Sequence, residues 1–178
     1  LFNLGTLTIL DSTFRDHHTV QSRGNRGSGG IIGNDGSLMI ARSTLSNGQA
    51  GLYGGGIFNT GALTVSQSVL SHFDTEDLPR AGQWGYGGAI ANRGTLHMTD
   101  SIVRGSVASW GAGLYNMDGG VAVLDGMTIQ DNDALSTVLG GGGVYNQGDL
   151  TLTNSTVISN STDARDQGGG GVFNRGVA

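Results

Sequence analysis

Apolar and polar residues alternate with a period of two in short bursts along the whole chain, as in Leu7-Thr8-Ile9, Leu63-Thr64-Val65 and Leu150-Thr151-Leu152. Alternation of this kind puts successive side chains on opposite faces of an extended strand. No stretch keeps the period of an amphipathic helix, and the frequent glycines would penalise one. The bursts recur after a common lead-in. Leu1-Phe2-Asn3-Leu4-Gly5 precedes the first, and Ile57-Phe58-Asn59-Thr60-Gly61, Ile90-Ala91-Asn92-Arg93-Gly94 and Val144-Tyr145-Asn146-Gln147-Gly148 precede later ones. Ile32-Gly33-Asn34-Asp35-Gly36 fits without a gap, and Val172-Phe173-Asn174-Arg175-Gly176 opens a seventh copy. Leu114-Tyr115-Asn116 fits with one extra residue at Met117-Asp118, before Gly119. The anchors are Asn3, Asn34, Asn59, Asn92, Asn116, Asn146 and Asn174, spaced by 31, 25, 33, 24, 30 and 28 residues, a mean of 28.5.

A strand this short cannot bury a core alone, but stacked on its copy in the next repeat it forms a parallel sheet over an apolar column. Four columns are predicted. Leu7, Leu38, Leu63, Leu96, Val121 and Leu150 make the first, and Ile9, Ile40, Val65, Met98, Val123 and Leu152 the second. The third runs through Leu1, Ile32, Ile57, Ile90, Leu114, Val144 and Val172. The fourth runs through Phe14, Leu45, Leu70, Val103 and Val157, which Ile129 joins if one residue is inserted. The expected fold is all-β: a single-stranded parallel β-helix, or β-solenoid, of about six coils over residues 1–178 as one domain. At one sheet spacing per coil its length is roughly 29 Å. Hydrogen bonding agrees, because a carboxamide both donates and accepts, so stacked Asn side chains can bond along the axis. Ser12, Ser43, Ser68, Ser101 and Ser155 form a second polar column in which Gly126 stands in once.

Composition narrows the partners. Of 178 residues 34 are Gly and one is Pro; Cys and Lys are missing, and the net charge is −5. Without Cys there is no disulfide framework and no thiolate metal site. Nine basic residues against fourteen acidic ones argue against nucleic acid as a partner. The apolar runs are too short for a membrane span. The Gly runs, such as Gly54-Gly55-Gly56 and Gly141-Gly142-Gly143, lack a following Gly-Lys-Ser/Thr and read as a recurring bend, not a phosphate loop.

The pattern Gly-Gly-Ala/Gly-Ile-aromatic-Asn-x-Gly-x-Leu-x-Ile-x-Asn/Asp-Ser resembles the polymorphic outer membrane protein repeat and its bacterial relatives. Gly87-Gly88-Ala89-Ile90 matches the first signature of that family. The second, Phe-x-x-Asn, is altered here to Val157-Ile158-Ser159-Asn160 and Ile129-Gln130-Asp131-Asn132. The resemblance covers essentially the whole chain. It implies a right-handed parallel β-helix on a secreted or surface protein, often an adhesin or an autotransporter passenger.

Candidate chemistry lies in connections whose length varies at one place in each repeat: 15–28, 46–53, 71–86, 104–110, 130–139 and 159–167. Such loops gather on one face, usually the binding face. A short loop between two long ones predicts a saddle over coil four. The long loop before it carries Pro79, Asp74, Glu76, Asp77, Trp84 and Tyr86, and the short loop ends in Trp110. Tyr53, Tyr86 and Trp110 precede successive Gly bends, which predicts an aromatic stripe that either packs on the bend or, with Trp84, meets sugar rings. An outward column of Asp11, Arg42, Gln67, Asp100, Asp125 and Asn154 puts Asp100 beside Asp125. That pair predicts a cation site, with calcium the candidate cofactor, or one carboxylate of raised pKa, or relief of the repulsion by Arg104 and solvent.

Two functions follow as expectations. The first is non-catalytic: an extracellular or cell-surface adhesin, stalk or structural filament segment with a glycan or surface-protein ligand. The second is a polysaccharide-active lyase or hydrolase acting at the saddle near Asp100, Asp125, His97 and Trp110. Neither end of the chain shows a capping repeat, so the expectation is a fragment of a longer solenoid, or else a protomer that self-associates end to end.

Overall fold

Because each burst is only two to five residues long, the chain turns sharply after every strand, and its backbone groups find partners in the coils above and below. The computed structural model describes residues 1–19, 27–75 and 85–178. Seven parallel strands make the first sheet: Phe2–Asn3, Ile32–Asn34, Ile57–Asn59, Ile90–Asn92, Leu114–Asn116, Val144–Asn146 and Val172–Asn174. The second sheet stacks Thr6–Leu10, Ser37–Ala41, Ala62–Ser66, Thr95–Thr99, Val121–Asp125 and Asp149–Thr153. The third runs from Thr13–Arg15 through Thr44–Ser46, Val69–Ser71, Ile102–Arg104 and Thr128–Gln130 to Thr156–Ile158. Each coil passes through these in turn, and every pairing is between neighbouring coils. The protein is a parallel β-solenoid of about six turns.

A fourth sheet lies inside what the sequence reads as loop. Two-residue strands from His18–Thr19 to Ser161–Thr162 pair along the axis, too short to leave an alternation signal. Their inward residues Ala50, Thr75, Ala108 and Ala134 are buried. The predicted columns form the core, with Ile40, Leu45, Ile57, Val65, Leu70, Ile90 and Leu96 fully buried. Ile129 joins the fourth column between Val103 and Val157.

Coil five departs from the expected register. Asn116 Nδ2 donates to the Gly120 carbonyl at 3.1 Å, as Asn92 does to that of Gly94 at 3.1 Å. The turn therefore carries two extra residues, not one, closed by a bond from Gly120 N–H to the Met117 carbonyl at 2.9 Å. Ala122 and Leu124 take the inward places expected of Val121 and Val123, and Val121 is left exposed. By the same shift Met127, not Gly126, stands in the serine column, where it is buried.

Two polar ladders tie the coils together. Each Asn side chain of the first sheet donates from Nδ2 to Oδ1 of the next, from Asn3 through Asn174, at 2.7–2.8 Å. The remaining amide hydrogen serves backbone carbonyls, so these buried amides are satisfied. In the second ladder, Ser12, Ser43 and Ser68 donate their N–H groups to the hydroxyls of Ser43, Ser68 and Ser101. Both corners around the third sheet turn through left-handed backbone. Asp11, Arg42, Gln67, Asp100, Gly126 and Asn154 have φ of 48–64° at one, and Asp16, Asn47, His72, Gly105, Asp131 and Ser159 have 54–62° at the other.

Candidate binding site

The residue between the apolar position and the Asn of each first-sheet strand points away from the core. Down the axis this outer column reads Phe2, Gly33, Phe58, Ala91, Tyr115, Tyr145 and Phe173. Beside it runs the column that precedes each Gly bend, where Ser28, Tyr53, Tyr86 and Trp110 are joined by successive parallel bridges. Side by side, the two aromatic columns pack their rings on one another. Tyr53 stacks on Phe58 and on Tyr86, each at 5.3 Å between centroids, and Tyr86 meets Trp110 edge-on at 4.9 Å. Tyr115 stacks on Tyr145 at 5.2 Å, and Trp110 on Tyr145 at 5.9 Å. Many ring faces are therefore turned to one another, as offset-stacked and edge-to-face pairs prefer.

A cleft of about 360 Å³ opens in this cluster. Tyr53, Phe58, Tyr86, Trp110 and Tyr115 form its aromatic wall, and the Asn turns supply Arg93, Met117, Asp118 and Gln147. It lies against those turns, and Tyr86 and Trp110 from the loops of the expected saddle line it. Of that saddle, Glu76, Asp77, Pro79 and Trp84 lie outside the described residues. The Tyr115 hydroxyl donates to Gln147 Oε1 at 2.7 Å. Burial raises its pKa well above the ordinary phenol value, and the neighbouring Tyr145, Tyr86 and Tyr53 add to this while Arg175 opposes it. Tyr115 is held as a neutral donor.

Measured against known proteins, the chain matches no family model, no curated protein and no solved structure. Any function rests on the site itself.

The expected carboxylate pair does not form in the way the column predicts. The coil-five shift puts Asp125 opposite Thr99, while Gly126 falls beside Asp100, whose Oδ1 would lie 2.6 Å from a Cβ there. Asp125 instead accepts from Thr153 Oγ1 and Asn154 Nδ2, each at 2.8 Å. Those two bonds hold its carboxyl below the usual value, with a smaller contribution from His97. Among the described residues, no three His, Asp or Glu side chains gather where a metal ion could sit. Asp11 and Arg42, neighbours in that column, pair through two bonds of 2.7 and 2.8 Å on the exposed surface.

Sequence reasoning found Tyr53, Tyr86 and Trp110 but not their neighbours. Phe58 and Tyr115 stand in the aromatic slot of the repeat, and Arg93, Asp118 and Gln147 in its variable turn slot. The signal was the outward phase of the strand, which pairs the aromatic slot with the bend column only once the coils are stacked.

Proposed function

We propose that the chain is a non-catalytic β-helix segment of an extracellular or cell-surface protein, and that it works by binding a ligand in the aromatic cleft. The cleft carries this reading: five rings and a few convergent polar groups are the composition of a small-ligand site. The resemblance of the repeat to surface proteins supports the location.

The test is to immobilise the protein and pass xylan, mannan, polygalacturonate and fibronectin over it, beside Trp110→Ala. Binding without product, lost in the variant, is the expected result. Release of reducing or unsaturated sugar ends by the wild type, abolished in Asp100→Asn, would replace this reading with an enzyme.

A further inference from the structure

All four tyrosines of the chain, Tyr53, Tyr86, Tyr115 and Tyr145, stand in the aromatic cluster, and each touches the next. The three contacts differ in kind. Tyr53 and Tyr86 are partners in a parallel bridge, so their side chains leave the backbone in one direction, and their rings lie 5.3 Å apart and within 27° of parallel. Both are half-buried, so part of each reaches solvent. Tyr86 and Tyr115 come from different columns and tilt by 49°. Tyr115 and Tyr145 share a column, but both are buried, and the Tyr145 hydroxyl has no hydrogen-bond partner.

We propose that Tyr53 and Tyr86 form a site of oxidative cross-linking, where a haem peroxidase acting as a one-electron oxidant joins them as dityrosine. Each phenol gives up one electron and its hydroxyl proton, which leaves a phenoxyl radical with spin on the ring carbons ortho to the oxygen. One such carbon from each ring forms the new C–C bond. Their two hydrogens leave as protons and the two oxygens are reprotonated, so the protein loses two electrons and two protons in all. One hydrogen peroxide takes these up through the peroxidase and becomes two waters. Burial chooses the pair, because a phenol that is oxidised must pass its proton on. Tyr53 and Tyr86 pass theirs to solvent. The Tyr145 hydroxyl has no acceptor, and that of Tyr115 faces the amide oxygen of Gln147, which is too weak a base to take the proton. Coupling also needs the rings to rotate edge to edge, which half-exposed side chains allow and close-packed ones resist. The chain has no Cys and no Lys, so neither a disulfide nor a Lys–Asn amide link ties its coils together. A dityrosine here would tie two adjacent coils and restrict the unfolded chain as a disulfide does.

The test is to treat dilute wild type, Tyr53→Phe, Tyr86→Phe and Tyr145→Phe with a haem peroxidase and hydrogen peroxide and to isolate the monomer. Each variant keeps its ring, and circular dichroism before treatment verifies the fold. The expected wild-type monomer shows dityrosine fluorescence, an intact mass lower by two hydrogen atoms, and, after proteolysis, a peptide with Tyr53 joined to one with Tyr86. Tyr53→Phe and Tyr86→Phe should each lose this product, and Tyr145→Phe should keep it. The linked monomer should unfold at higher urea than the untreated protein. The proposal is overturned if the wild-type monomer forms no dityrosine, if the link appears only in dimers, or if the joined peptides carry Tyr115 or Tyr145. A product that survives in folded Tyr53→Phe or Tyr86→Phe, or is lost in Tyr145→Phe, overturns it as well. A linked monomer with an unchanged urea midpoint overturns the bracing of the two coils.

Discussion

Tyr145 carries a phenol hydroxyl that is fully buried and meets no hydrogen-bond partner. The next ring in its column is Phe173 and an earlier one is Phe58, so a phenyl ring suits the packing. Tyr145→Phe removes the desolvation penalty without opening a cavity, and its unfolding free energy in urea should rise by about 1 kcal/mol. Asn92 behaves in the opposite way. Its side chain accepts from Asn59 and donates to Asn116 and to two carbonyls, so Asn92→Ala strands a buried amide and interrupts the ladder. A loss of about 3 kcal/mol is expected in the same measurement. Tyr115 sets a pH limit. Its folded pKa lies above the ordinary 10.0, so the stability it contributes is fully present below pH 10 and fades as the pH rises beyond that. Alkaline unfolding followed by circular dichroism should be less steep above pH 10 in Tyr115→Phe than in the wild type.

Strands of two to five residues hold together here because the corners between them are fixed. Gly54 has φ of 62°, and a Cβ there would strike the carbonyl oxygen of Ile57, so both backbone conformation and space demand glycine. Gly54→Ala should cost about 2–4 kcal/mol. Gln67 has φ of 48° at a corner where the next but one coil uses Gly126. Relief of left-handed strain and the added freedom of the unfolded chain nearly cancel there, so Gln67→Gly should fall within about 1 kcal/mol of the wild type. Paired urea midpoints check the contrast; equal losses at both corners would mean that space, not φ, governs them.

Along the whole molecule, each coil touches mainly its two neighbours, so stability is close to a sum over coils and the interfaces between them. Asn92 and Asn116 hold equivalent places in adjoining coils. Deleting residues 93–116 therefore joins Asn92 to Met117 and should leave a shorter solenoid with the same circular dichroism per residue and one cooperative transition at lower urea. Deleting 93–104 breaks the coil in half and should abolish that transition. If both deletions unfold alike, the coils are not interchangeable units.

The sequence by itself determined the strands of the first three sheets, the coil period, the inward columns outside coil five and the Asn ladder, because these follow from the alternation of Leu7-Thr8-Ile9 and its copies and from the hydrogen-bonding needs of a buried amide. The register of coil five was hidden. Gly119 and Gly120 both suit the turn, and only the stacking of Ala122 between Leu96 and Leu150 chooses between them. That single step also moved Asp125 away from Asp100. The cleft was out of reach for a different reason. Its walls come from residues that precede the Gly bends, from the outer slot of the first sheet and from the Asn turns of neighbouring coils, none of them adjacent in the chain. Their meeting exists only after the coils have stacked, because side chains so far apart in the chain become neighbours only when each coil is held against the one before it.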